Sequence, residues 1–408
     1  MVQGRELMTQ AADIRDNPAP EWIADVRARY DVERTVDLAL TRKLERRGSQ
    51  IFAVAKLDEL ASLLKAFLAR RIDGEFSIRN LKALTGGNSK EQFSFELDWV
   101  KDGERRIGDR MVLRREQAES IVEADKLREF QLVKAASVLM PAPTAYWLDE
   151  TGEELGRPAL IYSFVTGVQK PTKSTSKVTG IGINFDKQHR DALGPQFIDY
   201  LARIHNFDPA GHDLSAFDIP KVGTTQDVDW QINWWARAWF EDRLEEVPLM
   251  TVAEQWLRAN RQPLDHLSLI HGDYRSGNFL FDEDTLKFTA VLDWELGYFG
   301  DRHADLAWVL NPVFITPSED GEPLHTSLFR RDEFLRDYEK ASGLKVDEQR
   351  LSYYNIFAYW RSVALTLSAG PRAAGALKTH QDIVLSWFSG ISYPLLEALR
   401  RELESVLR

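Results

Sequence analysis

The chain has 408 residues, no cysteine, and 52 Lys+Arg against 63 Asp+Glu, for a formal net charge of −11. That length suggests two or three domains and supports a core without covalent staples, while the missing cysteines exclude disulfides, thiolate metal centres and thiol nucleophiles. The acidic balance argues against sequence-independent nucleic-acid binding, and with no apolar run near a membrane span or signal-peptide core a cytoplasmic globular protein is expected.

From Glu21 to about Arg47 no Gly or Pro interrupts the chain, Pro20 precedes it and Gly48 follows. Val32, Val36, Leu40 and Leu44 recur every four residues, which predicts a helix. Leu57, Leu60, Leu64, Leu68 and Ile72 predict another over 57–72. Residues 1–75 therefore read as a helical extension packed on its neighbour. The period then changes to two: Phe93, Phe95, Leu97 and Trp99 alternate with polar residues, Asp102-Gly103 supplies a turn, and Arg106–Arg114 returns as a second strand. Residues 117–136 read as helical, Met140-Pro-Ala-Pro143 ends them, and Pro158–Val165 reads as a strand. A small sheet carrying one helix thus spans 76–165, the second predicted domain. The third, 166–408, opens with a polar loop over 169–187. It is mostly helical from Pro195, with strand-like pieces near 279–281 and 288–292. Trp230, Trp234, Trp235 and Trp239 fall on one helical segment, as core or, alternatively, as the wall of an acceptor pocket.

The segment that carries chemistry is Leu269-Ile-His-Gly-Asp-Tyr-Arg-Ser-Gly-Asn-Phe-Leu-Phe281, followed by Ala290-Val-Leu-Asp-Trp-Glu295. It can bring two carboxylates and an amide oxygen around one small volume. Such hard oxygen ligands suit Mg²⁺, which uses few protein ligands and leaves the rest to phosphates and water. Asp273 would then be free to take a proton from an attacking hydroxyl.

These two motifs, in this order and spacing, resemble the signature pair of the aminoglycoside phosphotransferase (choline-kinase-like) family. Gly300-Asp-Arg-His-Ala-Asp-Leu-Ala-Trp308 resembles the stretch that follows that family's metal-binding Asp. The resemblance covers about residues 81–310. It implies an α+β, protein-kinase-like fold of two lobes: a small antiparallel-sheet N-lobe that binds nucleotide and a larger helical C-lobe. It further implies ATP and Mg²⁺ as cofactors, Asp273 as catalytic base, and Asn278 and Asp293 as metal ligands. Gly86, Gly87, Asn88 and Ser89 stand where that fold places its phosphate-covering loop, although with no Gly-x-Gly-x-x-Gly the segment taken alone reads first as an ordinary turn. Arg114 stands where the fold usually has a phosphate-pairing Lys, with Arg115 as competitor. Glu129 resembles its helical partner, with Glu123 as runner-up. Ser163 and Val165 resemble the adenine-binding hinge. His271 reads as a structural prop, and Glu295 as a salt bridge or supporting group.

Family members phosphorylate aminoglycosides, macrolides, choline, homoserine, methylthioribose and hydroxyacyl-CoA thioesters. The form Val-Leu-Asp-Trp-Glu-Leu-Gly is most similar to the branch of kinase domains fused to acyl-CoA dehydrogenases. The expected activity is thus a small-molecule kinase, its acceptor a hydroxy acid or hydroxyacyl-CoA before an aminoglycoside. The alternatives are a catalytically silent nucleotide-binding protein of the same fold and, more weakly, a metal-dependent hydrolase. Neither nucleic acid nor membrane is an expected partner.

Overall fold

The computed structural model describes residues 13–48, 56–84, 90–117, 120–172, 182–375 and 382–407. The N-terminal region contributes α1 (Pro20–Arg29), α2 (Arg34–Arg46) and α3 (Leu57–Ala69). The predicted helix over 21–47 is therefore two helices. The break serves tertiary contacts that no local pattern records. Tyr30 leaves the helix at φ −123°, and both Tyr30 and Val32 enter the core. The Asp31 carbonyl accepts from Asn233 at 2.7 Å, and Glu33 receives the Arg128 guanidinium at 2.6 Å.

Five antiparallel strands follow: β1 (Ser77–Ala83), β2 (Glu91–Lys101), β3 (Glu104–Arg115), β4 (Ala145–Asp149) and β5 (Ala159–Ser163), in the order β1-β2-β3-β5-β4. Asp102 and Gly103 turn the β2–β3 hairpin with φ of 53° and 81°, as the Asp-Gly dipeptide predicts. Between β3 and β4 runs α4 (Lys126–Ala136), nine residues shorter at its start than the predicted 117–136. Asp125 caps it, accepting from Leu127 N at 2.9 Å and Arg128 N at 3.3 Å. The non-helical approach also frees the Val122 carbonyl to accept from the buried Lys90 amine at 3.1 Å.

The larger lobe holds α5 (Lys187–His205), α6 (Gln226–Asp242) and α7 (Pro248–Ala259). Four short strands come next, β6 (Ser268–Ile270), β7 (Phe279–Asp282), β8 (Lys287–Val291) and β9 (Tyr298–Gly300). The chain ends with α8 (His303–Val309), α9 (Arg331–Ser342), α10 (Glu348–Ala364), a π-helical turn over Leu365–Ala369, α11 (Gly370–Gly375) and α12 (Asp382–Leu407). β6 pairs with β9 and β7 with β8, and these two ribbons carry the His-Gly-Asp and Leu-Asp-Trp motifs.

Burial divides into two cores. Leu60, Leu64, Phe67 and Leu68 of α3 pack on Phe93, Phe95, Leu97, Leu113 and Ile161 of the sheet. Val26, Val36 and Leu40 of α1 and α2 instead join the core of the helical lobe, together with Leu132 of α4. Of the four tryptophans, Trp234, Trp235 and Trp239 are buried in that core, as the first reading has it, while Trp230 is only half-buried. Among the described residues no helix is long and apolar enough to cross a membrane.

Candidate active site

The loop after β6 is held from beneath. Fully buried Asp305 of α8 accepts from the backbone N–H of His271 at 2.7 Å and of Gly272 at 2.9 Å. Gly272 has φ 81°, and a Cβ there would lie 2.5 Å from the Leu296 carbonyl oxygen, so only glycine fits. His271 donates through Nε2 to the Leu292 carbonyl at 3.0 Å, and its Nδ1 accepts from Asp273 N at 3.2 Å. Both ring nitrogens are thereby used inside the loop. The imidazole is the prop expected of it, and the hydrolase reading loses its histidine ligand.

That loop aims Asp273 into a cavity of about 500 Å³ between the lobes, which it lines with Arg114, Glu129, Asn278, Asp293, Glu295 and Trp308. Asp273 Oδ1 accepts from Trp308 Nε1 at 2.6 Å and Arg275 Nε at 2.8 Å, and Oδ2 from Asn278 Nδ2 at 2.6 Å. With its amide nitrogen turned to Asp273, Asn278 keeps Oδ1 as a ligand atom. Asp293 follows β8 in the left-handed region, φ 68°, ψ 56°, a conformation Asp tolerates better than most residues. Its side chain is 32% exposed, and its Oδ1 receives Arg114 at 2.6 Å. Burial opposes its charge, but the Arg114 guanidinium prevails and holds the carboxyl below its usual range.

Arg114 is the hub of a buried charge network. It meets Glu129 at 2.9 Å and Glu295 at 3.0 Å in addition to Asp293. Of the sequence alternatives, Arg115 pairs with Glu91 and Glu123 with Arg46, and neither Arg115 nor Glu123 lines the cavity. Lys90, which the sequence reading did not single out, is fully buried against Glu116 at 2.6 Å and Glu295 at 3.5 Å. Burial opposes its charge, yet those carboxylates hold it above the ordinary lysine range. Glu116 is drawn down to about 2, burial being outweighed by Lys126 and Lys90. Glu295 is pushed up by burial, against the pull of Lys90 and helped by neighbouring Asp293.

Arg114 Nε is buried and has no hydrogen-bond partner among the described residues, leaving a spare donor for an anion. Asp293 and Asn278 offer one exposed carboxylate and one amide oxygen. That donor set fits Mg²⁺, whose remaining positions go to phosphates and water. Ser163 and Val165 are half-buried where the chain leaves β5, and the cavity lining there comes from Tyr162. Gly86, Gly87, Asn88 and Ser89 lie outside the described residues. Arg275 and Trp308, beside the carboxylate, are functional candidates that the sequence reading passed over. Their signal was present, Arg275 inside the first motif and Trp308 at the end of the third.

The profile of the phosphotransferase enzyme family matches residues 81–344. Acyl-CoA dehydrogenase family member 10 of Mus musculus is 25% identical over 272 residues, covering 64% of this chain and 24% of that protein. Acyl-CoA dehydrogenase family member 11 of Gallus gallus is 33% identical over 166 residues, covering 36% of this chain and 21% of that protein. The matched stretch thus spans about a quarter or less of these curated relatives. A solved chain from Ralstonia eutropha JMP134, provisionally described as an aminoglycoside phosphotransferase, superposes with a TM-score of 0.58 at 19% identity. The superposition covers 84% of this chain and 98% of that one, and it establishes the kinase-like fold.

Proposed function

This chain belongs to the phosphotransferase enzyme family, and from that premise we propose that it is a small-molecule kinase moving the γ-phosphoryl group of ATP onto an acceptor hydroxyl, with Asp273 as base. The observation that carries this reading is the convergence of Asp273, Asn278 and Asp293 on one cavity. In the proposed step the acceptor oxygen bonds to the γ-phosphorus as its proton passes to Asp273. The bond from that phosphorus to the β,γ-bridging oxygen breaks, and ADP leaves. Trp308 and Arg275 occupy Oδ1, so the acceptor hydroxyl approaches Oδ2, beside the Asn278 amide. Asn278 and Asp293 would hold Mg²⁺, which neutralises charge on the phosphates when bound. Arg114 would contribute its guanidinium to the phosphates; positioning and fixed charge are most of what phosphoryl transfer requires. The names of the acyl-CoA dehydrogenase relatives support a hydroxylated acid or its CoA ester as acceptor.

A panel of alcohols incubated with MgATP tests this reading. Wild-type protein should transfer phosphate, and Asp273→Ala should lose at least a hundredfold in rate, since general-base catalysis contributes about 10²–10⁴. Equal rates for the two proteins would remove Asp273 from the role. A silent nucleotide-binding protein is the second reading, favoured by the Arg114 contact that occupies Asp293 Oδ1. Tight ATP binding with no transfer to any alcohol would select it.

A further inference from the structure

Beyond Asp273 the cavity is walled by Trp308, Val313, Phe314, Leu365, Ile391 and Leu395. Trp308 is central to this wall. Its indole N–H donates to Asp273, its ring meets Phe314 edge-on at 5.4 Å, and the buried Arg361 guanidinium lies 4.1 Å from its centroid. Arg361 is itself fixed by donating to the Gly272 carbonyl at 2.8 Å. Arg275 stands 5.0 Å from the Phe314 centroid. A guanidinium therefore already lies against each of these two rings, and its positive charge opposes a cationic ligand on the same ring. Residues 308–314, 362–366 and 391–395 contribute no carboxylate to the lining.

We infer that Trp308 joins acceptor recognition to the catalytic base. Its N–H positions Asp273, and its ring, backed by Arg361, selects an alcohol carried on an apolar body without positive charge. This rests on the phosphotransferase reading and adds to it the charge and polarity of the acceptor and the residue that reads them. The N–H and the ring are separable, because phenylalanine keeps an apolar ring without a donor, and glutamine keeps a donor without the ring.

The test uses three probes of one length, 1-hexanol, 6-hydroxyhexanoate and 6-amino-1-hexanol, titrated by ligand-observed NMR into the full chain loaded with Mg²⁺ and a non-hydrolysable ATP analogue. The amino alcohol should bind at least tenfold more weakly than the other two. Trp308→Gln should lose at least fivefold in 1-hexanol affinity and flatten the ranking. Trp308→Phe should keep the ranking but release ADP at least tenfold more slowly with MgATP and saturating 1-hexanol. Equal or inverted ranking overturns the inference, as does a nucleotide-loaded protein that binds none of the probes; both leave the phosphotransferase reading standing. Unchanged 1-hexanol affinity in Trp308→Gln, or unchanged ADP release in Trp308→Phe, also overturns it. Failure to bind nucleotide overturns the phosphotransferase reading and this inference with it.

Discussion

Asp305 shows how one buried side chain determines the shape of a site it does not enter. Its two oxygens take the adjacent N–H groups of His271 and Gly272, and His205 Nε2 stands 3.3 Å from Oδ2. Burial opposes its charge, but these donors, His205 foremost, keep the carboxyl below its usual range. Asp305→Ala strands two buried backbone donors, at about 1–3 kcal/mol each. The variant is expected to lose about 2–6 kcal/mol in urea unfolding and to transfer phosphate more slowly even where it is folded. A stability change below 1 kcal/mol, roughly the size of a surface effect, would mean that the loop holds its form without Asp305.

At the scale of elements, α2 is fastened to α6 by charge as well as by apolar packing. Lys43 is buried 2.7 Å from Glu241 and 2.9 Å from Asp242, and Arg47 also meets Asp242. Burial alone would raise Asp242, yet Lys43 and Arg47 bring it down to about 2. Lys43→Met leaves the two carboxylates to their arginine partners, and breaking such a pair costs about 3–5 kcal/mol. A fall of about 3 kcal/mol in unfolding free energy is expected, with earlier proteolytic cleavage in the α1–α2 region. Equal stability of the two proteins would show that the arginines suffice. These contacts were not legible in the sequence, whereas α3 and the β2–β3 hairpin were, because their periods are local. β1 and β4 escaped because they face solvent or are only half-buried along most of their length and do not alternate. Lys90 escaped for a subtler reason. The Asp-Gly turn pairs Lys101 with Glu104, but a bulge between Leu97 and Trp99 shifts the register by one. The register beyond it, Glu91 opposite Arg115, brings Lys90 to Glu116, a pairing hidden without knowledge of the bulge.

Over the whole molecule, buried acids give the stability a pH dependence with two limbs. Asp242, held at about 2 against burial by Lys43 and Arg47, and Asp301, held at about 2 against burial by its hydrogen bonds from His303 with Arg350 beside it, are joined by Glu116. Their folded values lie below the unfolded ones, so they stabilise above about pH 4 and lose that contribution as the pH falls towards 2. Asp227 does the opposite. It sits in the first turn of α6, where a Cβ on Gly300 would come within 3.2 Å of its Oδ2, and its Oδ1 is buried without a partner among the described residues. Burial, reinforced by the ionised Asp301, raises it from 3.8 to about 7. Below pH 4 folded and unfolded chains both hold this proton. Between 4 and 7 the unfolded chain releases it first, so stability falls as the pH rises, by on the order of 4 kcal/mol in all. Above 7 the penalty is constant. Asp227→Asn removes Asp227's share of this limb and leaves the acid limb untouched; Glu295, also raised by burial, contributes to both proteins and cancels in their difference. Thermal unfolding of the two proteins should coincide near pH 3.5, with the variant increasingly the more stable up to pH 7.5. His205, buried and held below its usual range, tilts both curves equally and cancels in the difference. A difference independent of pH would mean that Asp227 gains and loses its proton as it does in the unfolded chain, with its charge met by a partner or by solvent.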